Sequence, residues 1–214
     1  MTIKFLFLAF LAICTFNANS QSNTYFEGTI RYKYTFKADK IPDADKLLMP
    51  YFGQGSILYF KEGNYRHEYD GGLMEYDLYN KKSNKFYFKK RNNNTLFYSD
   101  CSTRGDSILN FVHTPKADTI MKIICDRLVI KYKDKTETHY YNSDSISINP
   151  EWFKNFKRDD EYLIDKKEKS IFLKSENVFE YFTLIGTAEN INVKSVDLDK
   201  FKLPPNAILL PSEL

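Results

Sequence analysis

From Phe26 onward, alternate residues are apolar and mostly aromatic: Phe26, Gly28, Ile30, Tyr32, Tyr34 and Phe36. The residues between them, Glu27, Thr29, Arg31, Lys33, Thr35 and Lys37, are charged or hydroxylated. A period of two is the mark of a strand with one buried face. The same rhythm, or a short run apolar on both faces, recurs at 56–60, 64–69, 72–79, 85–89, 95–98, 119–125, 127–132, 136–141, 161–165, 170–174, 178–185 and 191–196. In 72–79 it sets Met74, Tyr76 and Leu78 against Glu75 and Asp77. Many of these positions are β-branched or aromatic, which suits a pleated, half-buried surface. The breaks carry turn chemistry, as at 62–64, 70–72, 82–84, 92–94, 133–135, 167–169 and 175–177. Short spacing between turns predicts hairpins in an antiparallel meander.

Two segments leave the rhythm. PDADKLLM (42–49) has a proline that can open a helix, followed by Asp43 and Asp45 at its positive end. NPEWFKNF (149–156) supplies Asn149 as cap, Pro150 as first residue and Glu151 in the first turn. It predicts a two-turn helix with Trp152, Phe153 and Phe156 on one face. So short a helix must dock on the sheet to persist. The expected fold is mostly β: a single curled antiparallel sheet or unclosed β-barrel, with one or two short helices across its concave face.

The pattern before Phe26 is different. One lysine precedes the apolar run FLFLAFLAIC (5–14), and Ala18 and Ser20 stand at the positions a signal peptidase reads. This predicts a secretory signal peptide over 1–20, cut before Gln21, and a single antiparallel β domain over 21–214. Lipidation at Cys14 is the alternative. The expected address is exported: periplasmic, extracellular or associated with the outer membrane. No later segment predicts a transmembrane helix.

Cys101 and Cys125 then remain, an even pair in an oxidising compartment, and a disulfide is the leading expectation. It would close a loop of about 25 residues, for about 3.5 kcal/mol. Two buried free thiols, or a reactive one, are the alternatives. Lysine plus arginine number 31 against 28 acidic residues, with no basic stripe, so nucleic acid is not expected as a partner. His67, His113 and His139 have no histidine or cysteine three or four residues on, so no metal site is predicted. The DAD run at 43–45 and the DDE run at 159–161 read as helix-end charge and a solvated turn. With 8 glycines there is little material for a phosphate-cradling loop, and no nucleophile or zinc-protease motif occurs. No catalytic residue and no cofactor is predicted, and the chain reads as a non-enzyme. DSI (106–108), DTI (118–120) and DSI (144–146) are similar to an O-glycosylation site used on some exported bacterial proteins; turn chemistry is the other reading.

Several stretches resemble a family: EGTIRYKY (27–34), the hairpin KEGNYRHE (61–68), the strand pair IICDRLVI (123–130), THYY (138–141) leading into INPEWF (148–153), and the ending DKFKLPP (199–205). Together these resemble exported bacterial envelope proteins of the lipoprotein-carrier-like (LolA/LolB-like) superfamily. The resemblance implies an unclosed β-barrel with helices across its mouth and an apolar cavity that accepts acyl chains. The function expected is therefore binding of a lipid or other apolar molecule in the concavity. Phe26, Tyr32, Tyr34 and Phe36 would supply the floor, and Trp152, Phe153 and Phe156 the lid. The alternative is an envelope scaffold with a filled core and a protein partner.

Overall fold

A computed structural model describes residues 25–38 and 41–212. The expected signal peptide, its cut before Gln21 and the lipidation alternative at Cys14 lie outside the described residues. Among the described residues, twelve strands form one sheet. They are β1 (Gly28–Lys37), β2 (Gly55–Lys61), β3 (Asn64–Tyr69), β4 (Met74–Asn80), β5 (Lys85–Lys90), β6 (Thr95–Asp100), β7 (Asn110–Ile120), β8 (Ile123–Lys131), β9 (Thr136–Tyr141), β10 (Phe172–Val178), β11 (Thr183–Val193) and β12 (Ile208–Pro211). Their order is β12-β6-β5-β4-β3-β2-β1-β11-β10-β9-β8-β7. Two meanders thus join where β1 pairs with β11, from Gly28 against Val193 to Lys37 against Thr183. The outer strands β7 and β12 do not pair, so the sheet curls without closing. The pairing is antiparallel except at β12, which runs parallel to β6.

The first aromatic face lies inside the curl. Phe26, Ile30 and Tyr32 share one buried cluster with Leu58, Phe60, Tyr79, Tyr140 and Leu173, drawn from both meanders. β4 is turned the other way from what its alternation suggests. Tyr76 and Leu78 pack on the outer face with Tyr87, Leu96, Val196 and Phe201, because the C-terminal segment covers that face. Asp77 and Tyr79 therefore point into the concavity. The DKFKLPP ending forms part of this cover through a 3-10 turn, Leu198–Phe201.

Both breaks in the strand rhythm are helical, with shifted bounds. α1 runs Ala44–Phe52 and carries Pro50 inside it. Phe52 packs against Phe36 and Phe182, at ring distances of 5.7 and 5.4 Å. The predicted 149–156 helix is a 3-10 turn, Pro150–Phe153, capped as expected by Asn149, whose Oδ1 accepts from Glu151 N at 3.0 Å. The second α-helix, α2 (Glu161–Glu168), occupies a segment whose Tyr-Leu-Ile core predicted a strand. Its inward residues, Glu161, Ile164, Asp165 and Glu168, follow helical spacing instead.

Two further strand expectations shift. The segment 119–125 is a hairpin, with Ile120 opposite Ile123. Its turn residues Met121 and Lys122 are left-handed, at φ 50° and 68°. A two-residue turn needs that geometry, which glycine or asparagine adopts more cheaply. Lys122→Gly is therefore expected to stabilise the fold by about 1 kcal/mol in urea unfolding. Near the end, 175–177 lies within β10 rather than in a turn, and the reversal comes at 179–182, where Phe179 N donates to Phe182 O at 2.9 Å.

Cys101 and Cys125 are free, buried thiols, and the expected disulfide is not formed. Each sulfur turns back on its own strand end: Cys101 Sγ donates to Ser99 O at 3.9 Å and Cys125 Sγ to Ile123 O at 3.4 Å. Burial pushes the Cys101 thiol up to about 12, which suppresses its thiolate.

Candidate functional site

The concavity holds two adjoining chambers that share His67, Tyr69 and Phe172 as walls. The larger encloses about 600 Å³. Tyr32 and Tyr34 of β1, Tyr51 and Phe52 of α1, Leu73 and Leu184 contribute to its lining. Its size falls within the range of about 300–1,000 Å³ common for small-molecule sites. Two of its hydroxyls are already engaged: Tyr34 donates to Ser56 Oγ at 2.8 Å and Tyr32 to Phe172 O at 2.7 Å, while Lys90, Ser175 and Asn177 also line it. What remains toward the empty space is mainly apolar surface.

The smaller chamber, about 210 Å³, is of different chemistry. α2 presents Glu161, Asp165 and Glu168 to it, β9 presents His139, and the β3–β4 pair presents His67, Tyr69 and Asp77. His67 and Asp77 are directly opposite in the ladder, so their side chains meet on one face. His67 Nδ1 lies 3.2 Å from Asp77 Oδ1, and Tyr69 donates to Asp77 Oδ2. Across the chamber His139 Nδ1 lies 2.7 Å from Glu168 Oε1, with the Phe172 ring tilted against the imidazole at 4.5 Å.

Burial disfavours the His139 imidazolium, but the Glu168 carboxylate and its hydrogen bond, with Glu137, outweigh it. The pKa rises to about 9 and the ring is charged at neutral pH. Burial, then repulsion from Glu137, raises Glu161 to about 7, with His139 pulling the other way. Asp165 is held well above the ordinary carboxylate range by burial and by Glu161 and Glu168.

Of the residues expected in the site, Tyr32 and Tyr34 line the larger chamber and Phe153 the smaller. Phe156 stacks on Tyr79 at 4.6 Å, deep in the core. Phe26 packs on Phe60 and Phe36 on Phe52, outside both chambers. Trp152 lines neither chamber; it packs between Tyr25 and Phe60, at 5.1 and 6.1 Å, over Gly63, where a Cβ would overlap it. The DDE run is not a solvated turn. Asp160 is buried and its Oδ2 accepts from Ile108 N at 3.0 Å, while Asp159 Oδ1 accepts from Asp106 N at 3.0 Å. Those bonds hold the loop between β6 and β7 against the helical side of the mouth. Glu161 enters the chamber.

All three histidines stand beside a carboxylate, His113 with Asp126 at 2.9 Å on the surface. Among the described residues no cluster of three or more histidine, cysteine or acidic side chains has a metal-holding arrangement. No helix among them is long and apolar enough to cross a membrane. The hydroxyl residues Ser107, Thr119 and Ser145 of the three D-[S/T]-I tripeptides are exposed.

No family profile and no curated protein matches the chain. Among solved structures it is similar to part of PNGF-II in two crystal forms, P21 and C2, at 12% identity and TM-scores of 0.48 and 0.45. The match covers 86% of this chain and 32% and 31% of those chains, so the chain spans less than a third of their length.

Proposed function

We propose that this is an exported, non-enzymatic binding protein of the lipoprotein-carrier-like kind, which holds a lipid or acyl chain in the concavity of its curled sheet. The observation that supports it is the larger chamber, walled by Tyr32, Tyr34, Phe52, Leu73 and Leu184 and spanned at one end by α1. A filled core, as a scaffold would have, fits that open volume less well. Binding would proceed by burial alone, at about 25 cal/mol per Å² of apolar surface removed from water before ordering costs.

Ser175, buried on β10, faces the larger chamber. A phenylalanine there fills the space without entering the packed core. Mass spectrometry of molecules extracted from the natively produced protein is expected to find a near-stoichiometric apolar compound. Ser175→Phe is expected to lose the compound while remaining folded. A clean extract from the unaltered protein would reject the reading and direct the search to protein partners.

A second reading, acid–base catalysis, is favoured by one feature: Glu161 and Asp165, one turn apart on α2, with the first poised near neutrality. An enzyme should accumulate its unprocessed substrate in a Glu161→Gln variant. A binding protein should carry the same compound in both forms.

A further inference from the structure

The smaller chamber is built for a charge that the described side chains do not supply. Four carboxylates line it, from Asp77, Glu161, Asp165 and Glu168, against two imidazoles and no lysine or arginine. Asp77 is met by His67 and Tyr69, and Glu168 by His139. Asp165 is not met. It is 8% exposed, and its Oδ2 is buried with no hydrogen-bond partner. A buried carboxyl oxygen left unpaired is costly, and native interiors rarely keep one without a use. The rings of Tyr65, Tyr69, Phe86, Phe153 and Phe172 complete the walls, and aromatic faces attract organic cations.

We infer that the smaller chamber receives a cationic head group, an ammonium or guanidinium, borne by the apolar chain that fills the larger chamber, with Asp165 and Glu161 as its counter-ions. This rests on the binding reading above and specifies its ligand as a cationic amphiphile. The shared wall of His67, Tyr69 and Phe172 marks where head and chain would join. Several groups face the pair: Glu137 and His139 from β9, Asp159 from the turn before α2, Glu168 from α2 itself, and His67, Tyr69 and Asp77 from the β3–β4 pair. In the empty chamber burial and mutual repulsion keep protons on Glu161 and Asp165. A bound cation reverses that balance, so binding expels protons and tightens as the pH rises through neutrality.

Calorimetric titration with dodecylamine, dodecanol and dodecanoate, each below its micelle concentration, separates head from chain. At about pH 8 the amine is expected to bind about ten-fold or more tighter than the alcohol, with dodecanoate weakest. The gap should narrow at about pH 5.5, where Glu161 and Asp165 hold their protons. Asp165→Asn should narrow it at both pH values; if that variant does not fold, Glu161→Gln makes the same comparison. Equal binding of all three probes would overturn the cationic assignment and leave the apolar cavity standing. Failure of all three to bind would overturn both.

Discussion

Lowering the pH from about 9 to about 5 is expected to raise the thermal unfolding midpoint, because the buried groups of the smaller chamber favour their protonated forms. His139 has a folded pKa of about 9, above its ordinary 6.5. Its contribution is therefore complete below about 6.5 and is lost as pH rises toward 9. Glu161 is raised from 4.5 to about 7, and Asp165 is raised as well. For these two the neutral form is the favoured one, so stability falls as pH climbs from their unfolded values through their folded ones. Glu27 and Asp126 act in the opposite sense. Glu27 is lowered by its hydrogen bond to Lys61, and Asp126 by the backbone N–H of Lys116 and by His113. Their contributions are present above about pH 4.5 and are lost only below it. Maximal stability thus falls near pH 5 to 6. At about 1.4 kcal/mol per pH unit, His139 alone withdraws on the order of 3 kcal/mol between pH 6.5 and 9. For a chain of this size that lowers the midpoint by roughly 5–10 °C. Calorimetric scans across this range measure it directly. A midpoint that is flat or rises with pH would mean that His139 and Glu168 do not form a buried ion pair.

The chemistry behind that profile was the part of the molecule least readable from the chain. The hairpins at 62–64, 70–72 and 82–84 were legible because Gly63, Gly71, Gly72 and Asn84 take positive φ there. The aromatic face of β1 was legible because period two has one meaning in a half-buried strand. The turn at Met121 and Lys122 carries no such residue, so its two flanking isoleucines looked like one continuous strand. α2 was hidden for a related reason. Tyr-Leu-Ile suits a strand, and its helical face is made of Glu161, Asp165 and Glu168, which read instead as part of a solvated turn, a strand end and a turn residue. The same assumption concealed Asp77. Alternation separates the two faces of β4 but does not say which is concave, and here the C-terminal cover reverses them. One signal was available: Glu161, Asp165 and Glu168 follow helical spacing around Ile164, too regular for a loop. The cysteines show a different limit. Compartment and an even count argued for a bridge, whereas the sheet points each sulfur at its own strand end.

Removing one member of the buried pair while leaving the other should be the most damaging single change inside the chamber. His139 is 7% exposed and Glu168 3%. Glu168→Ala strands the imidazolium, or forces it to discharge, and is expected to cost about 3–5 kcal/mol in denaturant unfolding. The double replacement His139→Phe with Glu168→Leu removes both charges at similar volume. The new ring keeps the contact that His139 makes with Phe172 at 4.5 Å. Glu161 loses one attracting and one repelling neighbour and Asp165 one repelling neighbour, while burial, the largest cause for both, still favours their protonated forms. Apolar replacement of a buried pair is commonly neutral or stabilising by about 1–4 kcal/mol. The double variant should accordingly recover the stability of the unaltered protein or exceed it. If it does, packing alone would serve the fold equally well, and the pair's place is explained by what the chamber holds. If the double variant remains as unstable as the single one, the ion pair is a structural strut of the sheet. The cationic site would then rest on Asp165 and Glu161 alone.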